Sequence, residues 1–110
     1  MLLIGGAEDP AGRTAAEICA SPEVRAWDEG LRERGIWRGG NLLRPPEEAR
    51  TVRVRDGAVV LSDGPFAETK DQVGGYTLIE CADREEALAA AADHPCARFG
   101  MVEVRELWSP

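Results

Sequence analysis

Asp63, Glu68 and Lys70 place two carboxylates and an ammonium in one short run, with the rings of Phe66 and Tyr76 beside them. A carboxylate withdrawn from water has its pKa pushed upward, into the range where general acid or base catalysis near neutral pH becomes effective. Asp63 or Glu68 would then act as the base. Lys70 is the one lysine among 13 Lys and Arg residues. It supplies a compact point charge that can hold an anionic or phenolate group, or stabilise negative charge as it develops. Tyr76 offers a phenolic hydrogen bond at a strand start, and Phe66 can line a pocket wall. Together they describe the mouth of a small cavity. Asp63, Phe66, Glu68, Lys70 and Tyr76 are its ligand contacts, and Asp63, Glu68 and Lys70 are the catalytic candidates.

Each of these residues also has a plain structural role. Asp63-Gly64-Pro65 favours a turn, because aspartate bonds its own backbone and proline holds the exit extended. Phe66 beside that turn would anchor the loop on the core, and Glu68 with Lys70 would form an exposed ion pair of little energetic value. His94, the single histidine, precedes Pro95 at a helix end. Helix termination, favourable to the dipole, is its expected role. A lone histidine argues against a histidine-based metal site, and no metal is expected. Cys19, Cys81 and Cys96 are odd in number and widely spaced, so they are expected as free thiols, with Cys96 next to Pro95 the most accessible. Trp27, Trp37 and Trp108 suit a core or a dimer interface, Trp108 especially. No phosphate loop, nucleophile elbow or dinucleotide fingerprint occurs, and no cofactor is expected.

The elements that must position these groups read as one α+β domain. Residues 2–4 are an apolar run before Gly5-Gly6 and predict a buried first strand. Thr14 with Glu17 has capping-box spacing, and Ser21-Pro22 forms a second helix start, running to Gly35 with Val24, Trp27 and Leu31 on the face toward the sheet. Gly39-Gly40 weakens the next strand and predicts a bulge, before Pro45-Pro46 ends it. Residues 51–55 and 58–61 flank Asp56-Gly57, the turn of a β-hairpin with Val52 and Val54 on a common face. A strand over residues 75–81 and a helix capped by Asp83 and Glu86 follow. Ala87, Leu88 and Ala91 are that helix's apolar stripe, and His94-Pro95 is its stop. Residues 101–107 close the chain as a strand. The order β-α-β, hairpin, β-α-β predicts a ferredoxin-like sandwich, with helices on one sheet face and a second copy of the chain on the other.

Composition sets limits on partners. At 110 residues with 44% hydrophobic and 30% charged side chains, the chain is an ordinary globular domain. A net charge of −7 repels phosphate backbones and anionic bilayers, so neither nucleic acid nor membrane is expected as a partner. The apolar start at residues 1–4 is too short for a signal peptide or membrane span, and a cytoplasmic location is expected.

Asp63-Gly64-Pro65-Phe66-Ala67-Glu68-Thr69-Lys70, followed by Gly74-Gly75-Tyr76, resembles the signature of the DGPF group within the YCII-related superfamily. Arg98-Phe99-Gly100 through Val102-Glu103-Val104-Arg105 is similar to that family's last strand, and the likeness covers residues 36–107. The resemblance implies a single YCII-like domain over residues 1–110 whose ferredoxin-like subunits pair into a dimeric α+β barrel. Some YCII-like proteins are lyase-type enzymes, such as chlorinated hydroxyhydroquinone dehydrochlorinases, and several DGPF proteins accompany extracytoplasmic-function sigma factors. YCII-like enzymes carry a histidine on the first helix, paired with an aspartate. Between Arg13 and Arg34 this chain has none, so that mechanism does not carry over and the reading leans away from catalysis. The expectation is a small cytoplasmic homodimer that binds an unidentified small molecule, as an accessory or regulatory protein associated with a sigma factor. The alternative is a lyase or isomerase using acid-base chemistry on a small aromatic or anionic compound.

Overall fold

The computed structural model describes residues 1–6, 17, 18, 20–65, 72–98 and 100–108. Strands β1 (Leu2–Gly6), β2 (Trp37–Leu42), β5 (Gln72–Ile79) and β6 (Met101–Val104) form one four-stranded sheet in the order β2-β5-β1-β6. Every pairing in it is antiparallel. Strands β3 (Arg50–Arg55) and β4 (Ala58–Asp63) form a separate two-stranded ribbon. Helix α1 (Pro22–Glu33) joins β1 to β2, and helix α2 (Arg84–Ala92) joins β5 to β6. The architecture is α+β, and its strand order is compatible with a ferredoxin-like fold.

Local chemistry accounts for the helix limits. Ser21 is the N-cap of α1, its hydroxyl accepting from the Val24 N–H, and Pro22 occupies the first turn where its missing donor costs nothing. At the other end Gly35 takes φ 73°. Its N–H donates to the Arg32 carbonyl at 3.0 Å while the Ile36 N–H reaches back to Leu31 at 3.2 Å, the paired bonds of a glycine-terminated helix. Asp83 caps α2 by accepting from the Glu86 N–H at 2.9 Å, and Glu86 in turn accepts from Ala82 at 3.0 Å. The buried residues of α2 are Ala90 and Ala91, while Leu88 is exposed. The expected Ala87-Leu88-Ala91 stripe is therefore rotated toward Ala90, and its small side chains let α1 and α2 meet directly.

Both helices lie against the sheet face bearing Leu2, Ile4 and Thr77, all buried. Ile4, Ile18, Val24 and Cys96 form the core cluster, with Val102 packed against it. Cys96, expected to be the most accessible thiol, is fully buried. The short 3-10 turn Pro95–Arg98 winds it inward. Mass-resolved alkylation is accordingly expected to leave Cys96 unmodified in the native protein and to label it after unfolding.

By strand alternation the reverse face carries Tyr76, Leu78 and Glu103, each partly exposed. The molecule measures 48 × 42 × 18 Å, the thickness of one sheet and one helical layer, so nothing among the described residues covers that face.

Two glycines have steric reasons. Gly39 takes φ 151° beside the register shift between Trp37 and Gly39, the expected bulge. A Cβ on Gly40 would sit 2.7 Å from the Tyr76 carbonyl oxygen and 3.2 Å from Thr77 Cα. Both neighbours are backbone and cannot yield cheaply. Gly40→Ala should cost about 1–3 kcal/mol, read from the denaturant midpoint of unfolding.

The hairpin follows its turn residues. Asp56 and Gly57 both have positive φ (51° and 76°), as a two-residue type I′ turn demands, and the register Arg55↔Ala58 follows. Val52↔Leu61 and Val54↔Val59 are cross-strand pairs, so the four aliphatic side chains share one face. They are 59–66% exposed.

Candidate functional site

A cavity of about 360 Å³ lies between α1 and the sheet. Val24, Arg25, Trp27, Asp28 and Arg32 of α1 line it from one side, Trp37, Gly40 and Leu42 of β2 with Gly75 and Thr77 of β5 from another, and His94 closes it beyond the end of α2. Each wall follows from an element already described. The Ser21 cap and the Gly35 stop set the length and rotation of α1, which places Trp27 and Arg32 over the sheet. Gly40 and Gly75 have no side chains to fill the space.

His94 is fully buried. Its ring meets Trp27 edge to face, centroids 4.6 Å apart at 74°. Its Nδ1 accepts from the Cys96 N–H at 3.0 Å. That bond requires Nδ1 to be bare, so the proton of the neutral ring sits on Nε2. Burial pushes the His94 pKa down to about 4, because desolvation penalises the charged ring. The imidazole is neutral at pH 7 and is a hydrogen-bond donor through Nε2 and a poor base. The expected helix termination is seen, the helix ending at Ala92 and the His94 N–H donating to the Ala91 carbonyl at 3.1 Å, but the ring is buried and neutral and brings no charge to the dipole.

Nε2 of His94 has no hydrogen-bond partner among the described residues, and the same is true of the buried Nε1 of Trp37. Trp27 differs, its Nε1–H donating to the Ala90 carbonyl at 2.8 Å and tying α1 to α2. The Arg32 guanidinium covers one face of Trp37, 3.6 Å from the ring centroid, and its Nε donates to Asp28 at 2.9 Å. The aromatic residues expected in a core or subunit interface, Trp27 and Trp37, are thus cavity walls, whereas Trp108 is 99% exposed. The helical recurrence of Val24, Trp27 and Leu31 pointed toward this face. No local pattern linked it to Trp37, at the start of the strand after α1, or to His94, far along the chain.

Of the expected site residues, Asp63 and Tyr76 are among the described residues. Asp63 ends β4 with its carboxylate exposed and paired to Arg50 at 3.0 Å, and it does not line the α1 cavity. The adjoining turn locks the base of the hairpin: the Gly64 N–H donates to Ala49 at 2.7 Å, and the Thr51 hydroxyl donates to the Gly64 carbonyl at 2.9 Å. Phe66, Glu68 and Lys70 lie outside the described residues. Tyr76 borders the α1 cavity, with its ring on the sheet face opposite buried Thr77.

A second cavity of about 340 Å³ lies at the far end of the sheet, where Cys81, Asp83 and Arg84 meet Leu2, Val104 and Leu107. Desolvation, and next the Glu86 carboxylate, push the Cys81 thiol up, so it carries little thiolate at neutral pH. Among the described residues no three metal-binding side chains come together, and no helix is long and apolar enough to cross a membrane.

The YCII-related domain model matches residues 2–109, nearly the whole chain. An uncharacterized protein of Rhizobium meliloti (strain 1021) is 46% identical over 67 residues, which is 59% of this chain and 54% of that protein. The chain spans about half the length of that relative. The β-α-β, hairpin, β-α-β order and the extent of the family match agree, and the chain belongs to the YCII-related domain family.

Proposed function

We propose that this protein is a cytoplasmic, homodimeric small-molecule-binding module of the DGPF type, acting as an accessory or regulatory partner of a sigma factor. The cavity between α1 and the sheet is the binding site in this reading, and the observation that carries it is the fully buried, neutral His94 beside Trp27 and Trp37 at that cavity. Small-molecule sites are concave and largely apolar, with a few placed polar groups, at volumes of about 300–1,000 Å³. The acid-base alternative draws less support. Asp63 is exposed and paired, and His94 is too weak a base to abstract a proton near neutral pH.

Dimerisation is supported by two unpartnered apolar surfaces, the Tyr76–Leu78 face of the sheet and the Val52, Val54, Val59, Leu61 face of the hairpin. Pairing sheet to sheet would form the dimeric α+β barrel. The combined Val54→Glu, Leu61→Glu variant is expected to sediment as an 11.9 kDa protomer, while the unmodified chain sediments at twice that mass. A monomeric unmodified chain at micromolar concentration would remove the dimer from the proposal.

Ligand binding is tested by thermal shift against a panel of small organic acids, phenols and amides. A ligand at 100 times its Kd adds about 2.7 kcal/mol of stability, which raises Tm by more than 10 °C in a domain of about 100 residues. Leu42→Trp, which obstructs the rim of the cavity, should abolish the response. A response unchanged by Leu42→Trp would place binding elsewhere.

A further inference from the structure

We infer that Thr77 sets the selectivity of the α1 cavity, and that the ligand is a flat, uncharged compound with a carbonyl or hydroxyl oxygen at the end that meets the sheet. This rests on the binding reading above and names its ligand class. Thr77 lines the cavity from β5. Its opposed neighbours on β1 and β2 are Leu2 and Gly40. Directly opposed residues share a face, and Leu2 is buried on the face that the helices cover, so the Thr77 side chain points to that side. Gly40, which also lines the cavity, has the same orientation, and a Cβ on it would lie 3.3 Å from Thr77 Oγ1. The hydroxyl therefore leans toward space that Gly40 leaves empty on the cavity floor.

The other polar side chains around the floor are engaged or turned away. Ser21 Oγ donates to the Ile18 carbonyl and accepts from the Val24 N–H. His94 is fully buried, with its Nδ1 accepting from Cys96. Asn41 and Tyr76 are the next opposed pair along the strands, so both face the reverse side of the sheet. The Thr77 hydroxyl has no hydrogen-bond partner among the described residues, although the residue is only 4% exposed. A nearly dry hydroxyl carries a desolvation penalty that a ligand oxygen relieves, and because it both donates and accepts it serves a carbonyl or a hydroxyl. Charge follows from the same surface. Arg25, Asp28 and Arg32 are the ionised side chains lining the cavity, and all three belong to α1, with Asp28 and Arg32 paired at 2.9 Å. No ionised group lines it from β2 or β5. An ion carried to the floor would lose its hydration without meeting a counter-charge. Trp27 and Trp37 supply the aromatic walls against which a flat body packs.

Acetophenone, ethylbenzene and benzoate share a benzene ring, differ in the polar group, and are the probes. Binding is followed through the amide chemical shifts of Gly40, Gly75 and Thr77, which line the floor. In the unmodified protein acetophenone is expected to bind more tightly than ethylbenzene by about fivefold or more, and benzoate more weakly than acetophenone. Thr77→Val keeps the shape and the branched Cβ while removing the hydroxyl, and should make acetophenone and ethylbenzene equal. Thr77→Ser keeps the hydroxyl and should keep the preference, which separates a lost hydrogen bond from altered packing. A preference that is absent in the unmodified protein or survives Thr77→Val, or benzoate binding more tightly than acetophenone, overturns the assignment to Thr77 and leaves a ligand cavity standing. Unmoved floor amides with all three probes overturn it too. If in addition no compound in the broader panel distinguishes Leu42→Trp from the unmodified chain, the cavity reading itself falls.

Discussion

Acidification from pH 7 to pH 4 is expected to lower the folding stability of this protein by about 3 kcal/mol through His94 alone. The unfolded chain binds a proton at this residue with the ordinary pKa of 6.5, whereas the folded chain resists protonation until about 4. Between those values the unfolded state holds more protons than the folded one, so stability rises with pH across that window. The contribution is complete above pH 6.5, falls by about 1.4 kcal/mol per pH unit below it, and levels off near pH 4. A loss of this size is a large fraction of the 5–15 kcal/mol typical of a domain. Urea midpoints measured at intervals between pH 7 and pH 4 follow the slope directly. His94→Asn lowers the plateau, since a shorter side chain leaves part of the ring's volume empty, but it has no group titrating in this window and should flatten the slope. A slope of equal size in that variant would mean that another group is responsible.

Leu31→Ala should cost about 3 kcal/mol and loosen the cavity at the same time. Leu31 is 2% exposed, and together with Val24 it is the buried anchor of α1. Truncation removes most of its packing, and the well-filled surroundings can collapse only in part. Its carbonyl also receives the Ile36 N–H that ends the helix, a backbone bond that the substitution leaves intact. The helix should therefore persist while its hold on the sheet weakens. A drop in the unfolding midpoint with little change in far-UV circular dichroism is the expected pair of results, and probe binding at the cavity should weaken with it.

Much of the fold was legible because the relevant signals are local. Asp56-Gly57 demands positive φ at both positions and so dictates a two-residue hairpin with its register. Ser21-Pro22, Gly35 and Asp83 with Glu86 mark helix ends through backbone groups that only those residues satisfy. Gly39 marked its bulge for the same reason. Features decided by tertiary contact were not legible. Pro95 announces a stop but not the direction the chain takes after it, so Cys96 read as accessible when the following turn buries it. His94 at a helix end read as a terminator favourable to the dipole, and it is tertiary burial, with Trp27 packed edge to face on the ring, that keeps it neutral. Asp63 stood out by composition and proximity in sequence, yet its carboxylate pairs with Arg50 across the hairpin. Trp27, Trp37 and His94 are scattered along the chain and share a cavity only once α1 crosses the sheet.

The protonation of His94 is the point from which the cavity's chemistry follows, and it is directly observable. Long-range proton–nitrogen correlation on the unmodified protein at pH 7 should show a neutral ring with its proton on Nε2 and a bare Nδ1. A doubly protonated ring, or a proton on Nδ1, would contradict the account, because the ring would then be charged or unable to accept from the Cys96 N–H.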